Sequence, residues 1–332
     1  KNSTIFVYNR TYFENIIINK QIKVIGENKT NTIIDGNLKN DVIKINSDFI
    51  TLSNLHVKNS GTNTGSAINI NSKNNTIKNI SISSDSILQN NMGFYLNLDG
   101  DFNKISNCKV YNSNIGFKLH SSYNEISNCI LRDCGVQGIV LYTNAEDIDK
   151  ICSNNKILNN TLYEKEDLIG WGYGIWLHRS INNLIEGNFV KEKYFGLDLE
   201  ENSDKNTILK NNFSQNSGYG IGISSSSNCN ISYNIIYENN LFGIGFQNSP
   251  NKNNIVYHNN IINNKINTLS KDCNNLSWVE NYYDDWVGLK FNLLGFLPYI
   301  VPKGLGFIEK IKIPRLSKCN YDFNPSFKPY DL

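Results

Sequence analysis

Residues 116–141 read GFKLHSSYNEISNCILRDCGVQGIVL, and two phrases within them decide the fold. The first is Gly, apolar, variable, apolar: Gly116-Phe117-Lys118-Leu119, then Gly138-Ile139-Val140-Leu141. The second is an isoleucine set in Asn-rich text, Ile126 in YNEISN. Working outward, the first phrase also occurs at Gly93, Gly174, Gly196, Gly220 and Gly243, so successive glycines lie 23, 22, 36, 22, 24 and 23 residues apart. The second is anchored on Ile77, Ile105, Ile157, Leu184, Ile208, Ile231 and Ile255, with a less regular copy around Ile50. A fixed period in this range is the signature of a repeat architecture.

Each repeat carries at least two short strands with period-two alternation, joined by Gly and Asn turns. Strands this short bury a face only by stacking in parallel on the next coil, about 4.8 Å away. Leucine-rich repeats require Leu at fixed offsets and an alternating helix, and propellers require blades of about 40 residues; the text has neither. The reading is all-β: a single-stranded right-handed parallel β-helix, a solenoid of about ten coils of about 23 residues. Residues 1–35 hold the N-terminal cap and first coil, 36–277 the repeats, and 278–332 a non-repeat C-terminal tail that caps or covers the end. Asn107, Asn128 and Asn188 are expected to stack their amides along the axis. Cys108 and Cys129 each follow an anchor by three residues. They are expected to face each other as buried thiols, because in-register side chains fit disulfide geometry poorly.

Composition excludes several functions. Across 332 residues, 32 basic and 30 acidic side chains leave a net charge of +2, with no Lys/Arg stripe to hold nucleic acid. No uninterrupted apolar run reaches the ~18 residues of a membrane span. The seven cysteines form no CxxC, and His56, His120 and His258 are scattered beside a single Met. Neither a zinc nor a copper set is therefore expected, nor any cofactor. The start at Lys1 suits a mature exported protein. Sequons begin at Asn2, Asn9, Asn28, Asn74, Asn79, Asn159, Asn212, Asn230 and Asn275. They are glycosylation candidates, or chance in an Asn-rich chain.

With these coils, the tail segment NYYDDWVG (281–288) and the closing YDFNPSFKPYDL (321–332), the chain resembles the NosD-like, carbohydrate-binding and sugar-hydrolase β-helix family found in exported archaeal proteins. The resemblance implies an extracellular or cell-surface location. That family spans copper-site maturation proteins and sugar-modifying enzymes, so chemistry must be read from the site.

Alternation sends Tyr95, Lys118, Val140, Trp176, Asp198, Gly222 and Gly245 outward in one row. A second row holds Asn97, His120, Tyr142, His178, Glu200, Ser224 and Gln247. The 36-residue step falls beside Tyr142 and Trp176, and insertions in solenoids map to the binding face. Trp176, Tyr173, Trp171 and Tyr142 offer flat faces for sugar rings, with Lys118, Arg179 and His120 as polar contacts. His178, Tyr142, Asp198 and Glu200 are the catalytic candidates. Asp198 and Glu200 are a possible hydrolytic carboxylate pair. His178 or Tyr142 is a possible base for lyase or epimerase chemistry, with Lys118 or Arg179 neutralising a uronate. YGIWLHRS (173–180) resembles the Tyr-Gly-x-Asp-Pro-His segment of mannuronan epimerases. Tyr173, Gly174 and His178 match it, and Trp176 and Leu177 replace its Asp and Pro. Three functions stay open: glycan binding along this face, polysaccharide modification there, and structural or adhesive surface assembly with other copies through the tail.

Overall fold

Each coil turns through three strands, and among the described residues the strands of successive coils pair in parallel into sheets of 14, 12 and 11 strands, here named A, B and C, the 14 of sheet A including the tail strands Asn320–Asp322 and, antiparallel to it, Tyr299–Val301. The computed structural model describes residues 3–61, 63–85, 90–147, 149–165, 172–248, 250–271 and 273–285, with 290–291, 295–296, 299–301, 320–322 and 325–332. Asn2, Trp171, Cys319 and most of the apolar tail stretch lie outside the described residues. The fold is the expected right-handed parallel solenoid, with about 11 turns where ten were expected. The coils also run past the expected end at residue 277, with Ser277–Val279 and Tyr282–Tyr283 still in parallel register with the coil before them.

Inward positions align from coil to coil. In sheet A the column runs Leu52, Ile77, Ile105, Ile126, Ile157, Ile185, Ile208, Ile231, Val256 and Trp278, each in register with the next. All are nearly or fully buried. Burying each aliphatic side chain stabilises the stack by roughly 1.5–3 kcal/mol. Two anchors read from the sequence are one residue off. Leu184 pairs with Lys156 and Ile255 with Asn230, whereas Ile185 and Val256 point inward. Both errors arose where two apolar residues are adjacent.

Turns are closed by backbone in the left-handed region. Asn54, Asn79, Asn107, Asn128 and Asn159 adopt it one after another beyond sheet A, and Gly187 continues the row. Asn tolerates this conformation because its amide bonds locally. Asn107 and Asn128 are therefore exposed turn residues and not stacked amides. The position beside them carries the stack. Cys129 N–H donates to Asn160, and the column continues through Asn188, Asn211, Asn234, Asn259 and Asn281. At each Asn rung a backbone N–H meets the next Oδ1 within 3.0 Å. Cys108 and Cys129 occupy this column as buried free thiols in contact, as expected.

A second column runs from Asn75 through Asn103, Asn124, Asn155 and Asn183 to Asn206. A third links Lys193 to Asn216, Asn239 and Asn264. Lys193 sits there fully buried. It pairs with Glu164 and donates to Cys134 O at 2.7 Å. At the C-terminal end the tail returns to the stack. Asp322 accepts the backbone N–H of Asn281 at 2.9 Å, and Tyr330 exchanges two 2.8 Å bonds with the amide of Asn260.

Candidate functional site

The site lies on sheet C, across strands Ile115–Leu119, Gln137–Tyr142, Tyr173–His178, Phe195–Glu200 and Tyr219–Ser224. The repeated glycine packs at the inner edge of these strands. A Cβ on Gly174 would lie 2.2 Å from Val190 Cγ1 and 2.5 Å from Gly196 O, so only Gly lets the coils approach. Alternation resumes after this bend.

The two outward rows hold the expected register. Lys118 pairs with Val140, Val140 with Trp176, Trp176 with Asp198, and Asp198 with Gly222. Tyr142 pairs with His178, and His178 with Glu200. The rings form a continuous cluster. His120 stands 5.4 Å from Tyr95 and 5.2 Å from Tyr142, Tyr142 stacks on His178 at 4.9 Å, and Trp176 lies 5.2 Å from His178. Tyr173 stacks beside Trp176 at 5.3 Å. A third row was missed: Tyr173, Phe195, Tyr219 and Phe242 pair in succession, with centroids about 5 Å apart. Each directly precedes a motif glycine, which was the available signal.

The polar groups differ sharply in environment. Asp198 is 3% exposed, and its carboxyl is pushed well above the usual range, first by burial and then by the adjacent Glu200 carboxylate and the hydrogen bond between them. That contact is nearer than the ~5–9 Å separation needed to straddle a glycosidic bond. Trp176 Nε1 donates to Glu200 Oε2 at 3.0 Å. Gly222 makes room for the pair, because a Cβ there would lie 2.6 Å from Asp198 Oδ1. Phe195, Tyr219, Ser224 and Gln247 frame a small cavity of about 90 Å³ over the carboxyls.

Lys118 is half-buried with no carboxylate partner among the described residues, and its Nζ lies 5.9 Å from the Tyr95 ring and 5.6 Å from Tyr142. Burial lowers its pKa. Arg179 leaves the face at a left-handed turn and pairs with Glu201, so its charge is already met. His178 Nε2 lies 3.4 Å from Glu201, and its buried Nδ1 has no hydrogen-bond partner. His120 is buried, and desolvation lowers its pKa to about 4. Burial likewise raises the Tyr173 phenol to about 12.

The 36-residue step has two parts. The first leaves Tyr142 and returns at Cys152, whose N–H donates to Thr143 Oγ1 at 2.9 Å. Its tip is tied down where Lys150 Nζ meets Asp99 at 2.9 Å. The second follows Tyr163 and includes Trp171. Among the glycosylation candidates, Asn9, Asn28, Asn74, Asn159 and Asn275 are exposed, whereas Asn212 and Asn230 lie within strands with their Oδ1 atoms buried.

These features define a β-helix with an aromatic, carboxyl-bearing face. The right-handed β-helix family model matches residues 22–190, and the chain belongs to that family. Residues 151–285 match the model of the periplasmic copper-binding protein NosD. No curated protein sequence matches significantly. The A-module of the mannuronan C-5 epimerase AlgE6 from Azotobacter vinelandii superposes with a TM-score of 0.62 at 11% identity, covering 83% of this chain and 91% of that one. The catalytic unit of a thermostable GH87 α-1,3-glucanase from Streptomyces thermodiastaticus gives 0.65 at 12% identity, covering 84% of this chain and 57% of the glucanase. A GH87 α-1,3-glucanase domain in complex with nigerose gives 0.64 at 16% identity, covering 83% of this chain and 60% of that domain. These likenesses establish a shared fold. The donor set does not fit the copper of the NosD description, because no three of His, Cys, Asp and Glu stand together as metal ligands among the described residues. No step is derived through a metal.

Proposed function

We propose that this protein binds polysaccharide along the outward face of sheet C, with acidic sugars as the preferred units, as an exported or surface protein. The observation that carries the reading is Lys118: a half-buried ammonium without a carboxylate partner among the described residues, held between two tyrosine rings at one end of a ring cluster. A cation kept partly from water without an anion is costly unless an anion arrives. A uronate carboxylate on Lys118, with its ring along Tyr142 and Trp176, meets that need. The epimerase and glucanase likenesses and the periplasmic NosD description are consistent with this reading.

A second reading, turnover at the same face, is favoured by Asp198. Its carboxyl is held well above the usual carboxylate range by burial and by Glu200, under the Gly222 gap. A buried acid paired with a neighbouring carboxylate is a disposition used for proton donation. Stacked Tyr142 and His178 offer the base that lyase or epimerase chemistry needs.

The test is a panel of oligouronates and neutral oligosaccharides, scored for binding by calorimetry and for turnover by product analysis, with Lys118→Ala, Trp176→Ala and His178→Ala beside the wild type. Oligouronate binding about tenfold weaker in Lys118→Ala and Trp176→Ala is expected. Equal affinity of Lys118→Ala and wild type for every acidic glycan refutes the first reading. Product formed by the wild type and abolished in His178→Ala establishes the second.

A further inference from the structure

Around the corner from the sheet C face, a polar cleft of about 380 Å³ opens between the 98–101 turn and residues 149–153 of the insertion. That volume lies within the range of small-ligand sites. Tyr123 lines one wall, backed by its stacking neighbour Phe102. Phe102 and Tyr123 occupy equivalent turn positions and stack at 4.7 Å with planes 8° apart, yet they are 47% and 52% exposed. Both have left-handed backbone, with φ of 59° and 60°. Asn74, Asn154 and Asn182 take the same position in other coils, where Asn adopts that conformation readily. Phe49 is an earlier exposed aromatic in the same row, but Phe102 and Tyr123 are the adjacent pair that stacks, at a place where such rings cost both backbone strain and solvent exposure of apolar surface.

The opposite wall is acidic, and its cations are already engaged. Lys150 meets Asp99 at 2.9 Å and Lys73 meets Asp101 at 3.3 Å. Asp101 also accepts the Ser122 N–H at 2.9 Å, which fixes its carboxylate. Asp149 adds a third acid to the lining. His120 closes the inner end. It is 8% exposed, its Nε2 has no hydrogen-bond partner, and its ring touches Tyr95 and Tyr142 on the sheet C face. Desolvation keeps this imidazole neutral, so it adds no cation.

We infer that this cleft is a second sugar subsite, joined to the sheet C face through His120, that takes an uncharged hexose unit with its ring on Tyr123 and its hydroxyls on Asp99, Asp101 and Ser122. Carboxylates already paired with lysines still have lone pairs to accept hydroxyl donors. An acidic unit would meet three carboxylates and no free ammonium. Lys118 offers the reverse environment on the face itself. The two sites together select a chain that carries neutral and acidic sugars side by side. The continuity of the two sites rests on the glycan-binding reading of the face; the cleft's own preference does not.

Saturation-transfer NMR and calorimetry on the full chain test this, using gluco-, galacto- and manno-configured hexoses and tetraoses beside oligouronates. Wild type, Tyr123→Ala, Asp99→Asn and Trp176→Ala are compared, each certified as folded by circular dichroism. Neutral sugars should bind wild type and Trp176→Ala alike, and Tyr123→Ala and Asp99→Asn about fivefold more weakly. Oligouronates should instead lose affinity only in Trp176→Ala. Neutral-sugar binding unchanged in both Tyr123→Ala and Asp99→Asn overturns the subsite, as does the absence of any neutral-sugar signal from the wild type. Oligouronate binding that survives in Trp176→Ala counts against the face and leaves the cleft standing.

Discussion

Replacing Asp198 with Asn preserves the shape of the side chain and removes one titration. The folded carboxyl is held above its ordinary range by burial first and by Glu200 second, while in the unfolded chain it titrates near the ordinary aspartate value of 3.8. Below that pH both states carry the proton, and the group imposes no penalty. Above it the unfolded chain ionises and the folded chain does not, so wild-type stability falls as pH rises. The slope reaches about 1.4 kcal/mol per pH unit, until the folded pKa is passed. The carboxamide has no proton to release, and its NH2 can donate to Glu200 in place of the acid O–H. Wild type and Asp198→Asn should therefore be close in stability near pH 4, with the variant pulling ahead toward neutrality. Urea unfolding followed by near-ultraviolet circular dichroism at several pH values measures the difference. A constant gap would mean an unshifted Asp198, and a wild type that gains on the variant as pH rises would mean an ionised and stabilised one; either would refute the reasoning.

Three further outcomes follow from the interior. Asn211→Ala removes the Oδ1 that accepts the buried N–H of Asn188 and the Nδ2 that donates to Ile185 O at 2.9 Å; it should cost about 2–4 kcal/mol and speed exchange of the Asn188 amide. Lys193→Met strands the Glu164 carboxylate and should cost about 3–5 kcal/mol in thermal or urea unfolding, most of it recovered when Glu164→Gln is added. Native alkylation at pH 8 with peptide mapping should spare Cys108, Cys129, Cys134, Cys152 and Cys229 while modifying partly exposed Cys273. Burial pushes the Cys134 thiol to about 11 and those of Cys152 and Cys229 to about 12, so labelling of any of them in the folded protein would contradict their placement.

The coil and its face were legible because alternation is local: the glycine phrase alone put Trp176, Asp198 and Lys118 in one outward row and His178 with Glu200 in another. The slips at Leu184 and Ile255 had a local remedy that went unused. A buried ladder residue precedes each inward anchor by two, as Asn155 precedes Ile157, and Asn183 and Asn254 would have selected Ile185 and Val256. What no local rule supplies is burial on the outward side. Asp198 points away from the core yet is covered, because the next coil lacks a Cβ at Gly222 and the rings of Phe195 and Tyr219 close over it. The third aromatic row escaped because the bend at each motif glycine restarts the alternation, placing the preceding residue outward as well.

The amide columns have a sense. In each Asn rung the backbone N–H gives toward the C-terminal neighbour, so unspent backbone donors collect at that end. Asp322 receives them there: one of its oxygens takes the backbone and side-chain N–H of Asn281, and the other takes the N–H of Glu280. A carboxylate accepts without donating, so nothing is passed onward. The column therefore carries its own punctuation. Coils can be duplicated or deleted between Asn160 and Asn281 without altering the rule at any rung, and the rule changes only where a single acid stands in place of an amide, at Asp322. An Asp322→Asn variant would turn the full stop back into a rung that seeks a successor.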